Sequence, residues 1–246
     1  MKGFLFAILL LTLPFLGTAS ADPLPLAEDL TDTVRYPIGS GAVSYIYSYT
    51  YPQVDETDPS AGLINEFYRY TVSDALDFEV PMNVDYYTSV LPENDVFVTI
   101  TYEITCNNDD YFALLIKTEG NDFLTYSGHT FSRRDIRPGS SVALPYLLGI
   151  LSDEENDTWL EDRQTAKADA LVRSMIWDQL QKTKKEIGLF EDFTEESLEL
   201  AFYPEEDFYL DKTGNPVFYL QPGKAADPAL GLLTFPISIE EILDEI

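Results

Sequence analysis

The chain has 246 residues and a formal net charge of −28, with 43 Asp and Glu against 15 Lys and Arg. Apolar residues make up 45% of it, which excludes an intrinsically disordered protein despite the charge. The acidity excludes a nucleic-acid-binding protein, because neutralising phosphates requires a basic face. A single cysteine excludes a disulfide framework, and a single histidine excludes sites that need two. We expect no metal site and no cofactor.

The N-terminus has the pattern of a secretory signal peptide. Lys2 precedes an apolar run over residues 4–16, and residues 19–21 (ASA) form a small-x-small cleavage site. A membrane anchor is the alternative, but the run is shorter than the roughly 20 residues of a spanning helix. We therefore predict cleavage after Ala21, a secreted protein and no stable membrane insertion.

The first half of the mature chain is rich in predicted strands. Residues 22–34 are interpreted as a mobile leader, and the alternating VSYIYSYTY at 43–51 predicts a strand. A helix is predicted to begin near Ser60 and to end at Pro81. Strands are then expected at residues 82–91, 96–106, 111–118, 123–126 and 130–136, with Gly128 in a turn between the last two.

The second half mixes helices with short strands. A long helix is predicted over residues 163–187, with Ala166, Ala170, Met175, Ile176 and Leu180 as its inner stripe. Gly214 indicates a hairpin turn between residues 208–210 and 217–220. The fold class is therefore α+β: an antiparallel β-sheet meander with packed helices. Residues 35–137 and 138–246 are expected to form two intimately associated halves.

Cys106 is expected to be buried. Alternation along a strand would place it on the face of Tyr102 and Ile104. A buried cysteine behaves as a small hydrophobic residue. A reactive thiol or an intermolecular disulfide is the alternative.

Few residues suggest chemistry. His129 is the only imidazole, and no nucleophile motif accompanies it, so a structural histidine is favoured and no catalytic residue is assigned. Arg133, Arg134 and Arg137 could form an anion site with His129, but pairing with the many carboxylates is favoured.

Two acidic clusters, at residues 153–162 and 205–207, offer oxygen ligands for calcium. Neither has the glycine and the spacing of an EF-hand loop. Two carboxyl groups in a cleft, one with a raised pKa, could also hydrolyse a glycosidic bond. With 43 acids in the chain, a pair by chance is expected, so a hydrolase is kept as the alternative function.

The order of several short motifs resembles the RsiV-like extracytoplasmic domain family, preceded by a PdaC-like N-terminal domain. The first domain is suggested by YPQV at residues 51–54, LINEF at 63–67 and YSGH at 126–129. The second is suggested by the long helix and by later motifs. These are DFYL at residues 207–210, PVFYLQP at 216–222, ALG at 229–231 and FPISI at 235–239.

The resemblance implies a non-enzymatic binding module that engages a cell-wall glycan or a cationic wall-active protein such as lysozyme. By family pattern, the binding residues would be Gly128, His129, Asp227, Pro228 and Gly231. The family's late loop usually carries a tyrosine that the DPALG of residues 227–231 lacks, which puts a shared partner contact in doubt. An accessory domain that assembles with another chain is a third possibility.

Overall fold

The computed structural model of the protein describes residues 23–134, 137–151 and 158–245. The predicted signal peptide and residues 153–157 of the first acidic cluster lie outside these ranges. No helix within the described part of the chain is both long enough and apolar enough to cross a membrane.

Eight strands and six α-helices make up the described fold. The strands are β1 (Leu30–Ile38), β2 (Val43–Tyr51), β3 (Val96–Asn107), β4 (Tyr111–Gly120), β5 (Leu124–Ser132), β6 (Phe208–Leu210), β7 (Pro216–Leu220) and β8 (Leu233–Pro236). The helices are α1 (Ala61–Asp74), α2 (Val80–Val90), α3 (Leu144–Leu147), α4 (Thr158–Thr183), α5 (Glu195–Ala201) and α6 (Ile239–Leu243). A π-helical segment, Ala75–Glu79, joins α1 to α2, and a 3₁₀ turn covers Pro228–Leu230.

The first five strands form one sheet in the order β1-β2-β3-β4-β5. All its neighbours are antiparallel except β2 and β3, which are parallel. Parallel strands need a crossover connection, and α1, the π segment and α2 supply it. The predicted α+β class is confirmed, and β3, β4 and β5 form the expected meander. The tyrosines at alternate positions of β2 are buried in the core between the sheet and these helices.

Residues 80–90 form a helix, so the predicted end at Pro81 and the predicted strand at 82–91 are wrong. Pro81 lies just after the π segment, and the helical backbone continues through it. The π segment shifts the hydrogen bonds just before the proline, with the Val80 N–H donating to Ala75 O, and the helix accommodates Pro81 at that point. The helix ends instead at Leu91, which has a left-handed backbone with φ of 55°.

The mobile leader predicted at residues 22–34 overlaps the first strand. Residues 30–34 belong to β1, which pairs with β2 over its whole length. Leu24 is buried, and its N–H donates to Asn107 Oδ1 at 2.7 Å. The chain is thus fixed to the sheet within a few residues of the predicted cleavage site.

The second sheet has the order β6-β7-β8 and packs with α3 to α6 around its own core. The predicted hairpin between residues 208–210 and 217–220 is confirmed, with Gly214 in its turn at φ of 88°. The inner stripe predicted for the long helix is only half right, because Ala166 and Ala170 are not buried. The residues of α4 that are buried in the core recur at every fourth position: Ala168, Val172, Ile176 and Leu180.

The two halves meet where β5 passes behind β6. Gly128 lies within β5 and not in the predicted turn. A Cβ at this position would lie 1.7 Å from the carbonyl oxygen of Phe208. The Gly128 N–H donates to the Tyr219 hydroxyl at 3.0 Å, which fixes β5 against the second sheet. Glycine is therefore required for close backbone contact.

Cys106 is buried, as predicted, with 1% of its surface exposed, but it faces the other core. The pairing of β3 with β4 shifts between Ile104 and Cys106, which marks a β-bulge. Tyr102 and Ile104 pack against the first core, whereas Cys106 joins the second. Burial raises the pKa of the Cys106 thiol to about 11, so it is unreactive at neutral pH.

Candidate functional site

A cavity of about 540 Å³ opens between the five-stranded sheet and the helical crossover. We call it the tyrosine cavity. Its walls combine aromatic and aliphatic side chains with two carboxylates and an amide, a mixture typical of ligand-binding sites. It is lined by Tyr45, Tyr47, Tyr51, Phe67, Tyr70, Thr71, Asp74, Ala75, Glu79, Val80, Asn83, Val98, Ile100, Thr118 and Phe123.

The phenols of β2 keep their protons at neutral pH. Burial raises the pKa of Tyr51 to about 12, and it raises the pKa of Tyr47 further. The Glu79 carboxylate adds to both shifts in pKa, and it lines the same cavity as these tyrosines. Asn83 Nδ2 donates to the Tyr45 hydroxyl at 3.2 Å. The cavity therefore presents aromatic surface and a carboxylate side by side.

The π segment positions the acidic side of the cavity. It is wider than an α-helical turn, and Asp74 and Glu79 at its two ends both line the cavity. Such segments inside α-helices are rare and occur frequently at functional sites. The apolar pattern of residues 61–80 predicts a helix but not this widening, so sequence reasoning missed the tyrosine cavity.

A chain of aromatic contacts leads from the tyrosine cavity to His129. Tyr51 stacks on Tyr68 with ring centroids 5.0 Å apart. Phe67 meets Tyr68 and His129 edge-on at 5.1 and 5.2 Å. Phe67 lines both the tyrosine cavity and a second cavity that includes His129.

His129 lines a second, smaller cavity of about 290 Å³, which we call the His129 cavity. Its Nδ1 shares a hydrogen bond of 3.2 Å with the Tyr68 hydroxyl, and its Nε2 lies 3.5 Å from Ser127 Oγ. Burial lowers the pKa of His129 to about 4, so the imidazole is neutral at physiological pH. The structure thus places the predicted Gly128 and His129 together in this cavity.

The other predicted residues do not line either cavity. Asp227, Pro228 and Gly231 form the 3₁₀ turn, in which the Asp227 side chain accepts from the Ala229 N–H. Gly231 has a φ of 71°, and the side chain of Pro228 packs near Gly223. These contacts account for the turn, and a binding role for residues 227–231 stays a prediction.

Two arginines of the basic cluster, Arg133 and Arg134, are paired with carboxylates, as the sequence favours. Arg134 contacts Asp109 at 2.7 Å and Asp110 at 3.0 Å. Arg133 lies 3.7 Å from Asp58. An anion site at Arg133 and Arg134 therefore has little support.

The acidic residues give a mixed result. Glu205 and Glu206 of the second acidic cluster line the His129 cavity. Among the described residues, no group of three or more His, Cys, Asp or Glu side chains could hold a metal ion. Burial raises the pKa of Asp169 to about 6 and also raises that of Asp207, but neither residue lines either cavity. The hydrolase alternative needs such a carboxyl group inside a cleft.

Comparison with known proteins gives only distant similarity. No family model matches the chain, and no curated protein matches it. A DUF3298 family member from Bacteroides fragilis superposes with a TM-score of 0.49 and 15% identity, covering 89% of this chain and 93% of its own. A DUF3298 family protein from Pseudomonas aeruginosa gives a TM-score of 0.47 and 13% identity, with 90% and 93% covered. Similarity this distant does not bear on function.

Proposed function

We propose that the protein is a secreted binding module whose tyrosine cavity receives a cationic side chain of a basic partner. The observation that carries this proposal is the juxtaposition of Tyr45, Tyr47 and Tyr51 with Glu79 in one cavity. Lysozyme is the partner that the family resemblance suggests. Secretion rests on the signal-peptide pattern of residues 1–21.

The chemistry of the cavity suits a cation. A Lys ammonium or an Arg guanidinium is attracted to the face of a tyrosine ring, by about 0.5–1 kcal/mol at exposed sites and by more where water is excluded. Glu79 would pair with the same group. No lysine or arginine is among the described residues that line the cavity, so nothing there repels a cation.

The charge of the whole chain supports the same class of partner. A formal charge of −28 accelerates encounter with a basic protein and is screened by salt. Charge alone gives no specificity. The cavity offers a contact that a generic polyanion lacks, and this difference can be measured.

The test is binding of residues 22–246 to lysozyme, with an unrelated basic protein of similar charge as the control. The Debye length falls from about 8 Å at physiological salt to about 3 Å at 1 M, so attraction between surface charges fades over this range. We expect lysozyme binding to persist at 1 M salt and binding of the control protein to disappear.

Glu79→Gln should weaken lysozyme binding about tenfold or more, because the partner's cation loses its carboxylate. Asp77→Asn is the matched variant: it removes the same charge from the same π segment, but Asp77 does not line the cavity. Equal losses in the two variants, or lysozyme binding that disappears with salt, would contradict the proposal. Glycan binding without lysozyme binding would also contradict it.

A further inference from the structure

Two hydroxyls of the tyrosine cavity have no hydrogen-bond partner within the described part of the chain. Tyr47 and Tyr51 both line the cavity, and each has only 3% of its surface exposed. The unpaired Oγ1 of Thr130 is fully enclosed, whereas these two phenolic oxygens retain accessible surface, so a molecule in the cavity can reach them. Buried polar groups are nearly always paired in proteins. A ligand in the cavity would supply the missing partner.

The carboxylates of the cavity are also unpaired. Asp74 and Glu79 line the cavity, and neither forms an ion pair with any residue that the structure describes. The Asn83 amide is already engaged, because its Nδ2 donates to the Tyr45 hydroxyl. A ligand therefore meets two phenols and two carboxylates that can accept hydrogen bonds. The carboxylates select a ligand with positive charge.

These four acceptor groups suit a guanidinium better than an ammonium. An ammonium has three N–H donors and is strongly hydrated, whereas a guanidinium presents five donors in one plane and loses its hydration more easily. A guanidinium also stacks on aromatic rings, and Tyr70 and Phe123 line the cavity with exposed rings. We propose that the tyrosine cavity selects arginine over lysine, with the hydroxyls of Tyr47 and Tyr51 accepting hydrogen bonds beside the carboxylates.

This inference rests on the proposed function for the choice of a cationic guest, and it adds which side chain of the partner enters the cavity. The proposed function requires only a cation beside Glu79, which either lysine or arginine provides. Selection between the two depends on the phenols, because they accept the donors that an ammonium lacks. The two proposals can therefore fail separately.

The assay compares three small compounds by NMR titration of the isotope-labelled protein at neutral pH, followed at the backbone amides of Tyr47 and Tyr51. We expect Nα-acetyl-arginine methyl ester to shift these resonances saturably at millimolar concentrations. Nα-acetyl-lysine methyl ester carries the same charge and should bind about fivefold more weakly. The citrulline ester has nearly the shape of the arginine ester without its charge and should not bind. No saturable shift, or equal binding by either control compound, would overturn the proposal.

Phenylalanine variants test the two hydroxyls. Tyr47→Phe combined with Tyr51→Phe keeps both rings and should weaken binding of the arginine ester about tenfold or more, because two accepted hydrogen bonds are lost. The preference for arginine over lysine should fall with it. Tyr49→Phe is the matched control, since Tyr49 belongs to the same strand and the same core but does not line the cavity. Unchanged affinity in the double variant, or an equal loss in Tyr49→Phe, would overturn the proposal.

The lysozyme experiment separates this inference from the proposed function. Lysozyme binding that Glu79→Gln weakens, together with equal binding of the arginine and lysine esters, would overturn the inference and leave the proposed function standing. Arginine-selective binding that depends on the two hydroxyls, without lysozyme binding at high salt, would support the inference and contradict lysozyme as the partner.

Discussion

Replacing Gly128 with alanine tests how the two halves are joined. Carbon–oxygen contacts ordinarily lie at about 3.3–3.6 Å. The added Cβ would lie 1.7 Å from Phe208 O and 2.7 Å from Phe208 C, both backbone atoms. No side-chain rotation relieves this clash, so the backbone of β6 must retreat by roughly 1.6 Å to restore the contact.

The cost follows from what that retreat disturbs. Forcing an extra carbon into a packed interface costs about 1–3 kcal/mol. The hydrogen bond from the Gly128 N–H to the Tyr219 hydroxyl would be strained or lost, which adds about 1 kcal/mol. We therefore expect Gly128→Ala to lower the free energy of unfolding by about 3 kcal/mol.

Urea denaturation followed by tryptophan fluorescence measures this change, because Trp177 packs against the core of the second half. Gly62→Ala is the control. Gly62 lies in α1, and a methyl group added there would have no neighbouring atom within 4 Å, so alanine should stabilise the protein by about 0.5–1 kcal/mol. A loss below about 0.5 kcal/mol for Gly128→Ala would refute the close approach of β5 and β6.

Three further predictions concern buried groups. The pKa of His129 should be about 4 by NMR titration, below its unfolded value near 6.5. Its contribution to stability is then complete above pH 6.5 and lost as the pH falls toward 4, and a His129→Gln variant should show a weaker acid dependence in urea denaturation. Cys106 should react with a thiol reagent only after unfolding, and rapid reaction of the native protein would contradict its burial. Thr130→Val should leave the unfolding free energy unchanged or raise it, because Oγ1 has no partner to lose; a loss above about 1 kcal/mol would reveal one.

Periodicity predicts which faces of the elements are buried better than it predicts their partners. The alternating tyrosines of β2 identify a half-buried strand, and the structure buries them. The parallel pairing of β2 with β3 could not be predicted, because alternation does not specify the neighbouring strand. The helix end expected at Pro81 is wrong because the π segment just before the proline shifts the hydrogen bonds of the helix, and the local sequence does not predict this segment.

Small and special residues account for the other differences. In α4, Ala166, Ala168 and Ala170 are alike in hydropathy, so only packing decides that Ala168 is the buried one. A glycine between two predicted strands favours a turn, so the sequence pattern predicts a turn at Gly128. Gly128 instead permits close contact with the backbone of β6, which lies about 80 residues further along the chain. The residues around Gly128 do not predict a contact at this distance in sequence.

The tyrosines of β2 belong both to the core and to the tyrosine cavity, so the sequence alone could not distinguish cavity residues from core residues. A tyrosine buries its ring while its hydroxyl stays available to a cavity, so one residue serves both packing and recognition. Tyr51 stacks on Tyr68 in the core and also lines the tyrosine cavity. Phenylalanine at this position would preserve the core and remove the polar group. A Tyr51→Phe variant should therefore keep its unfolding free energy within about 1 kcal/mol and still change affinity for a basic partner, whereas a purely structural tyrosine would change neither.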